Sequence, residues 1–226
     1  MEIPDIAGTY KALQFHIHTS SEHTINGEHF GAELHVVHQE VNGNRFAVVG
    51  MMIQPTAAEE HALFQQLLDG WQTPFSNVTS TCFATAKRQL LATAHKARRL
   101  DSTFTPYELI PVGSTMYFYD GGLTTPPCSE VVWWNLADKP VEISPAQYNQ
   151  LVTLVLDYLT TNCTLGTSAG PAGSTSRPVQ PLNGRTIERI CPVGYQDALA
   201  TSDAGRISAS LSAMGVIAFA VLSMVY

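Results

Sequence analysis

Basic residues are scarce. Only 12 Lys and Arg stand against 19 Asp and Glu in 226 residues, a formal charge of -7, and the few cations gather at Lys87, Arg88, Lys96, Arg98 and Arg99. No basic face is available to neutralise a phosphate backbone, which excludes nucleic acid as a partner. Cysteine is sparse too. Cys82, Cys128, Cys163 and Cys191 are widely spaced and make no C-x-x-C pair, which excludes a zinc ribbon and a thioredoxin-like motif and leaves disulfides as their reading. Met1-Glu-Ile-Pro-Asp5 has neither a basic n-region nor an apolar h-region, so the N-terminus does not read as a signal peptide. No internal repeat is evident, and with 45% hydrophobic residues the chain is long enough for one large domain with its own core.

Charge is also missing from the C-terminus beyond Ile207. The run Leu211-Ser-Ala-Met-Gly-Val-Ile-Ala-Phe-Ala-Val-Leu-Ser-Met-Val-Tyr226 is almost wholly apolar, and Thr201, Ser202, Asp203, Ala204 and Gly205 precede it. Small residues, a short spacer and an apolar tail form the pattern of a GPI-attachment signal. A short transmembrane anchor and a buried C-terminal helix are the alternatives. The expected boundaries are a catalytic domain over residues 1–195, an attachment region over 196–206 and a hydrophobic tail over 207–226. Two sequons, Asn77-Val-Thr79 and Asn162-Cys-Thr164, fit a glycosylated, oxidising compartment. Together these features predict a membrane-anchored glycoprotein with disulfides, at the cell surface or extracellular, reached through the secretory pathway.

Period-two alternation dominates the first 55 residues. Leu13, Phe15 and Ile17 alternate with Gln14, His16 and His18, Leu34 and Val36 with Glu33 and His35, and Phe46 to Ile53 follows, with turns at Ile25–Glu28 and Asn42–Asn44. These are strands. Strand signals return at Met116–Tyr119 and Val131–Trp134 around a Gly- and Pro-rich turn. Thr56-Ala-Ala-Glu59 predicts a capping box for a helix through Leu63, Phe64, Leu67, Leu68 and Trp71. A thinner apolar stripe predicts a second helix between Thr79 and Leu100, and Ser144-Pro-Ala-Gln147 opens a third, running to Leu156. Thr164–Ser176, rich in Gly, Ser, Thr and Pro, predicts a mobile loop. The fold class is mostly β with a few peripheral helices (α+β).

His16-Ile-His18 places two imidazoles on one face of a strand. His35 sits in a second alternating strand across a turn, and antiparallel pairing brings it to the same face. Three neutral imidazoles with a fourth position for water are the ligand set of a catalytic zinc site, where the metal lowers the water's pKa to about 7. Such ligands need partners at their free ring nitrogens, and Gln14 and Glu33, each two residues before a histidine, are placed for that.

Ser21-Glu-His-Thr-Ile-Asn-Gly-Glu-His-Phe-Gly-Ala-Glu-Leu-His-Val-Val37, preceded by Gln14-Phe-His-Ile-His18, closely resembles the signature of α-carbonic anhydrases. Two further blocks follow in the family's order: Tyr119-Asp-Gly-Gly-Leu-Thr-Thr-Pro-Pro-Cys128 with Glu130 and Trp134, then Arg177-Pro-Val-Gln-Pro-Leu-Asn-Gly-Arg185. The resemblance implies a large, twisted, mainly antiparallel sheet and Zn2+ held by His16, His18 and His35. It implies reversible hydration of carbon dioxide to bicarbonate and a proton by zinc-bound hydroxide. Thr124 would accept a hydrogen bond from that hydroxide and donate to Glu22, and its backbone N–H would hold a bicarbonate oxygen. Val37, Val48, Leu123, Val132 and Trp134 match the apolar wall for CO2, and Thr125 matches a position that contacts bicarbonate.

Family members carry a long segment before the His-x-His strand, whereas fifteen residues precede His16 here. The resemblance therefore implies a domain missing its N-terminal part, with no recognisable proton shuttle. Neither His23 nor His29 has a feature that assigns it that role. Cys128 matches a cysteine whose family partner lies in that segment, and pairing among Cys82, Cys163 and Cys191 stays open. Ser176 stands where the family usually has Trp. A carbonic-anhydrase-related binding protein without catalysis, or an inactive fragment, is the alternative; such relatives usually lose a zinc histidine, and all three are present.

Overall fold

The computed structural model describes residues 9–87, 104–166 and 173–190. The expected attachment region, the apolar tail, Cys191 and the C-terminal part of the Ala-rich stretch lie outside them. The described residues form strands β1 (Tyr10–Thr19), β2 (Ala32–Glu40), β3 (Phe46–Gln54), β4 (Met116–Gly121), β5 (Val132–Ala137), β6 (Val141–Glu142) and β7 (Glu188–Ile190). They make one seven-stranded sheet in the order β1-β2-β3-β5-β4-β7, with β6 beside the end of β3. Pairing is antiparallel except where β3 meets β5 and β6. The predicted turn at Ile25–Glu28 is closed by reciprocal backbone hydrogen bonds of 3.1 and 3.2 Å. Asn26 and Gly27 there take φ of 54 and 83°, the left-handed pair that an Asn-Gly hairpin turn requires.

Alternation sorts the side chains onto two faces. Ile17, Leu34, Val36, Val49, Met51 and Ile53 pack beneath Phe64, Leu67, Leu68, Leu151 and Leu154 of two helices in the main core. The opposite face gathers Val37, Val48, Val132, Trp134 and Leu136 into a separate apolar cluster. A one-residue slip in register would exchange these faces, so burying the first set under helices also fixes which residues the second face presents.

The helices are α1 (Ala62–Lys87) and α2 (Pro145–Leu156). α2 starts on the predicted capping box: Ser144 Oγ accepts from Gln147 N, and Gln147 Oε1 accepts from Ser144 N, each at 3.2 Å. The box predicted at Thr56 does not form. Ala57 N donates to Ile143 O, and the Thr56 hydroxyl donates to Glu142 at 3.2 Å, so β6 holds this segment outside the helix. His61 caps instead, its Nδ1 accepting from Phe64 N at 3.3 Å. The two helices expected on either side of residues 71–79 are one, running through Pro74. Cys82 of α1 is bonded to Cys163, which follows α2, a pairing the sequence left open, and among the described residues Cys128 keeps a free thiol.

Candidate metal centre

β1 and β2 pair with His16 opposite His35 and His18 opposite Glu33. Antiparallel neighbours in register project to the same face, so the three imidazoles converge, with ring centroids 4.9 to 5.1 Å apart. One nitrogen from each lies within 4.8 Å of the others, a spacing that allows one shared metal ion. His18 and His35 are each 1% exposed, and His16 is half-buried.

The other ring nitrogens meet acceptors. His16 Nδ1 donates to Gln14 Oε1 at 2.9 Å, His18 Nδ1 to the Thr175 carbonyl at 3.2 Å, and His35 Nε2 to Glu33 Oε1 at 2.7 Å. A carbonyl or carboxylate can only accept, so each bond places the proton on the outward nitrogen. Nε2 of His16, Nε2 of His18 and Nδ1 of His35 are left as lone-pair donors facing one another. Burial pushes His16 well below the usual histidine range and lowers His18, and His35 beside them adds to both shifts. Burial also pulls His35 down, but the Glu33 charge and hydrogen bond outweigh it, so His35 is raised.

Glu33 is the anchor of this arrangement. Its Oε2 accepts from the backbone N–H groups of Glu22 and His23, both at 2.9 Å, and its Oε1 accepts from His35 and, at 2.6 Å, from His23 Nδ1. Burial would raise this carboxyl, but His23 and His35 more than offset it and hold it well below the usual carboxylate range. The opposite nitrogen of His23 meets Tyr119 Oη at 2.6 Å, extending the network to β4. Gly50, opposite His35 on β3, makes room for Leu136 and for the Glu33 carboxylate. A Cβ there would lie 2.5 Å from Leu136 Cδ2 and 3.1 Å from Glu33 Oε1.

Val37, Val48, Val132 and Trp134 cluster on this face. Leu136 joins them, and Leu123, Phe46, Tyr117 and Tyr119 pack against the group. The turn carrying Thr124 and Thr125 is pinned by Leu123 N to Ser129 O and Cys128 N to Thr125 O, at 3.0 and 2.9 Å. Thr125 is exposed, whereas Thr124 is half-buried and lines a cavity of about 690 Å3 with Glu22 and Trp134. The expected bond from Thr124 to Glu22 is not formed. Glu22 Oε1 accepts from Arg177 N at 2.8 Å, but the buried Oε2 has no hydrogen-bond partner. It points instead toward the imidazoles, 3.4 Å from His18 Nε2 and 4.0 Å from His35 Nδ1.

The donor set fits a zinc ion on this geometry. His18 Nε2, like Glu22 Oε2, is fully buried without a hydrogen-bond partner, an arrangement that costs free energy unless something binds there.

The family model for eukaryotic-type carbonic anhydrases matches residues 1–191. The chain belongs to this family. It is 31% identical over 179 residues to the carbonic anhydrase of Pectobacterium atrosepticum, covering 79% of this chain and 58% of that protein. Human mitochondrial carbonic anhydrase 5A is 31% identical over 196 residues, with 79% of this chain and 55% of that protein covered. The α-carbonic anhydrase of Thermovibrio ammonificans, solved with the inhibitor sulfanilamide, superposes with a TM-score of 0.52 at 29% identity over 76% of this chain and 60% of that one. The chain thus spans somewhat over half the length of these carbonic anhydrases.

Two parts of this site were not found by sequence reasoning. Residues 174–177, at the end of the predicted mobile loop, form a strap. Thr175 N donates to Thr19 O, Thr19 N donates to Thr175 Oγ1 at 3.0 Å, and Ser20 N donates to Ser174 Oγ at 3.1 Å. The hydroxyls that suggest a loop pin this segment to the end of β1, where its backbone orients His18 and Glu22. His23 is the second omission. Its place next to Glu22 in the motif was visible, but its link to Tyr119 depends on β4.

Proposed function

We propose that this protein is a zinc-dependent carbonic anhydrase that hydrates CO2 reversibly to bicarbonate and a proton. The observation that carries the proposal is the convergence of three ring nitrogens, each turned inward by an acceptor on its far side. His16, His18 and His35 would hold the zinc. The ion supplies, when bound, the Lewis acidity that makes water a nucleophile at neutral pH. Gln14, the Thr175 carbonyl and Glu33 fix the tautomers and so keep the inward lone pairs available.

The apolar wall of Val37, Val48, Leu123, Val132 and Trp134 gives CO2 a dry resting surface beside the triad, where an uncharged molecule needs exclusion of water rather than a charged clamp. Glu22 is held by Arg177 N through one oxygen, which leaves the other to accept a hydrogen bond from the Thr124 hydroxyl. Thr124 then has its own lone pair for the attacking oxygen, and its backbone N–H for the oxygen on which charge develops. Thr125, at the mouth, meets bicarbonate. The test is stopped-flow CO2 hydration by the zinc-loaded full chain: Thr124→Ala is expected to retain zinc and slow turnover, and unchanged kinetics would remove Thr124 from the reaction.

In the same proposal the enzyme is tethered to a membrane on the secretory side. The uncharged run beyond Ile207 and the Cys82–Cys163 bond support this reading. Release from membranes by a phosphatidylinositol-specific phospholipase is expected, and resistance would favour a transmembrane tail.

A further inference from the structure

The two sequons have opposite structural settings. Asn77-Val-Thr79 lies within α1, where residues two apart do not face each other. Asn77 and Val78 are half-buried there, and the Thr79 hydroxyl is fully buried with no hydrogen-bond partner. Asn77 O is also engaged, accepting from Thr81 Oγ1 at 2.8 Å. Asn162-Cys-Thr164 lies in a turn after α2 in which all three residues are exposed. Thr160 N donates to Thr164 O at 2.8 Å, Cys163 N donates to Thr160 O at 2.9 Å, and Cys163 takes a φ of 61°. The Thr164 hydroxyl stands at the surface, 2.9 Å from that of Thr160.

We propose that Asn162 is an N-glycosylation site of the folded protein and that Asn77 is not. The disulfide supplies the second, independent observation. The central residue of the Asn162 sequon is Cys163, bonded to Cys82 across a sequence separation of 81. A chain that acquires this bond has passed through an oxidising compartment, where N-glycan transfer also takes place. The modification is a balanced group transfer. Asn162 Nδ2 attacks the anomeric carbon of a lipid-linked oligosaccharide diphosphate, a C–N bond forms, the C–O bond to the diphosphate breaks, and the lipid diphosphate leaves as an amide proton is lost. The resulting bulk projects from an exposed turn, where it covers no core residue. A glycan on Asn77 would instead have to emerge from a half-buried helix face.

The test is peptide mapping of the full chain recovered from eukaryotic cells, before and after an amidase that removes N-glycans and converts the linked Asn to Asp. The expected result is conversion at Asn162 alone. N162Q and Thr164→Ala should each abolish the mass shift on deglycosylation while leaving the Cys82–Cys163 bond intact, and N77Q should leave the shift unchanged. An unmodified Asn162, in chains with or without that disulfide, would overturn the proposal, as would a glycan at Asn77.

Discussion

Replacing Glu33 by Gln conserves shape and removes one charge from the hub of the metal centre. Four donors converge on the two carboxylate oxygens: the backbone N–H groups of Glu22 and His23, and the ring N–H groups of His23 and His35. An amide offers one oxygen. If that oxygen faces the rings, the NH2 faces two backbone N–H groups; if it turns round, the NH2 faces both rings and drives the His35 proton onto Nδ1, the atom that must stay free for metal. Hydrogen bonds to charged groups contribute about 1.5–3 kcal/mol each, so losing two of the four should destabilise the fold by about 3–6 kcal/mol. Loss of a partner to a metal-bound histidine weakens metal binding about 10–100-fold. Gln14→Ala deletes one uncharged partner of the half-buried His16, worth about 1 kcal/mol, and should weaken zinc by less than tenfold. Competition with a chromophoric chelator gives both affinities, and circular dichroism confirms that the variants are folded. Equal zinc affinity in wild type and folded Glu33→Gln would refute the reasoning.

Two further predictions concern stability. Cutting the Cys82–Cys163 bond by Cys163→Ser frees a loop set by its sequence separation of 81, and the chain-entropy relation gives a loss of about 4.5 kcal/mol, read as a lower denaturant midpoint without loss of the zinc site. For pH, His16 and His18 are depressed in the fold, so their contribution is present above the unfolded histidine value and is lost as pH falls through about 6.5 and below. His35 is raised and acts oppositely, favouring the fold at low pH until it deprotonates. Glu33 is depressed, so its contribution is lost as pH falls below about 4.5. The melting temperature of zinc-free protein should therefore decline on acidification from pH 7, more steeply below the carboxylate range, and a rise between pH 6.5 and 5 would contradict this balance.

Much of the centre was legible because strands have period two. Gln14, His16 and His18 had to share a face, as did Glu33, His35 and Val37, and the turn between the segments implied antiparallel pairing. The strap was illegible for a physical reason. Thr175 reaches His18 through a carbonyl 157 residues away, and Arg177 reaches Glu22 through a backbone N–H 155 residues away. Every residue type carries a carbonyl, and all but proline carry an N–H, so side-chain identity gave no signal. The start of α1 was misread because Thr56 satisfied a local capping pattern while β6 competed for its hydroxyl and for the backbone beside it. Neither Gly70 nor Pro74 interrupts α1, which Phe64, Leu67 and Leu68 anchor in the main core. The Thr124–Glu22 bond was expected from the family pattern, but in this structure the free Glu22 oxygen faces the histidines.

The most direct test is zinc content after exhaustive dialysis of the full chain, with folding checked in parallel. The account predicts about one zinc per chain and none in folded His18→Ala or His35→Ala. A folded wild type that retains no zinc, or a His35→Ala variant that keeps one ion per chain, would contradict it.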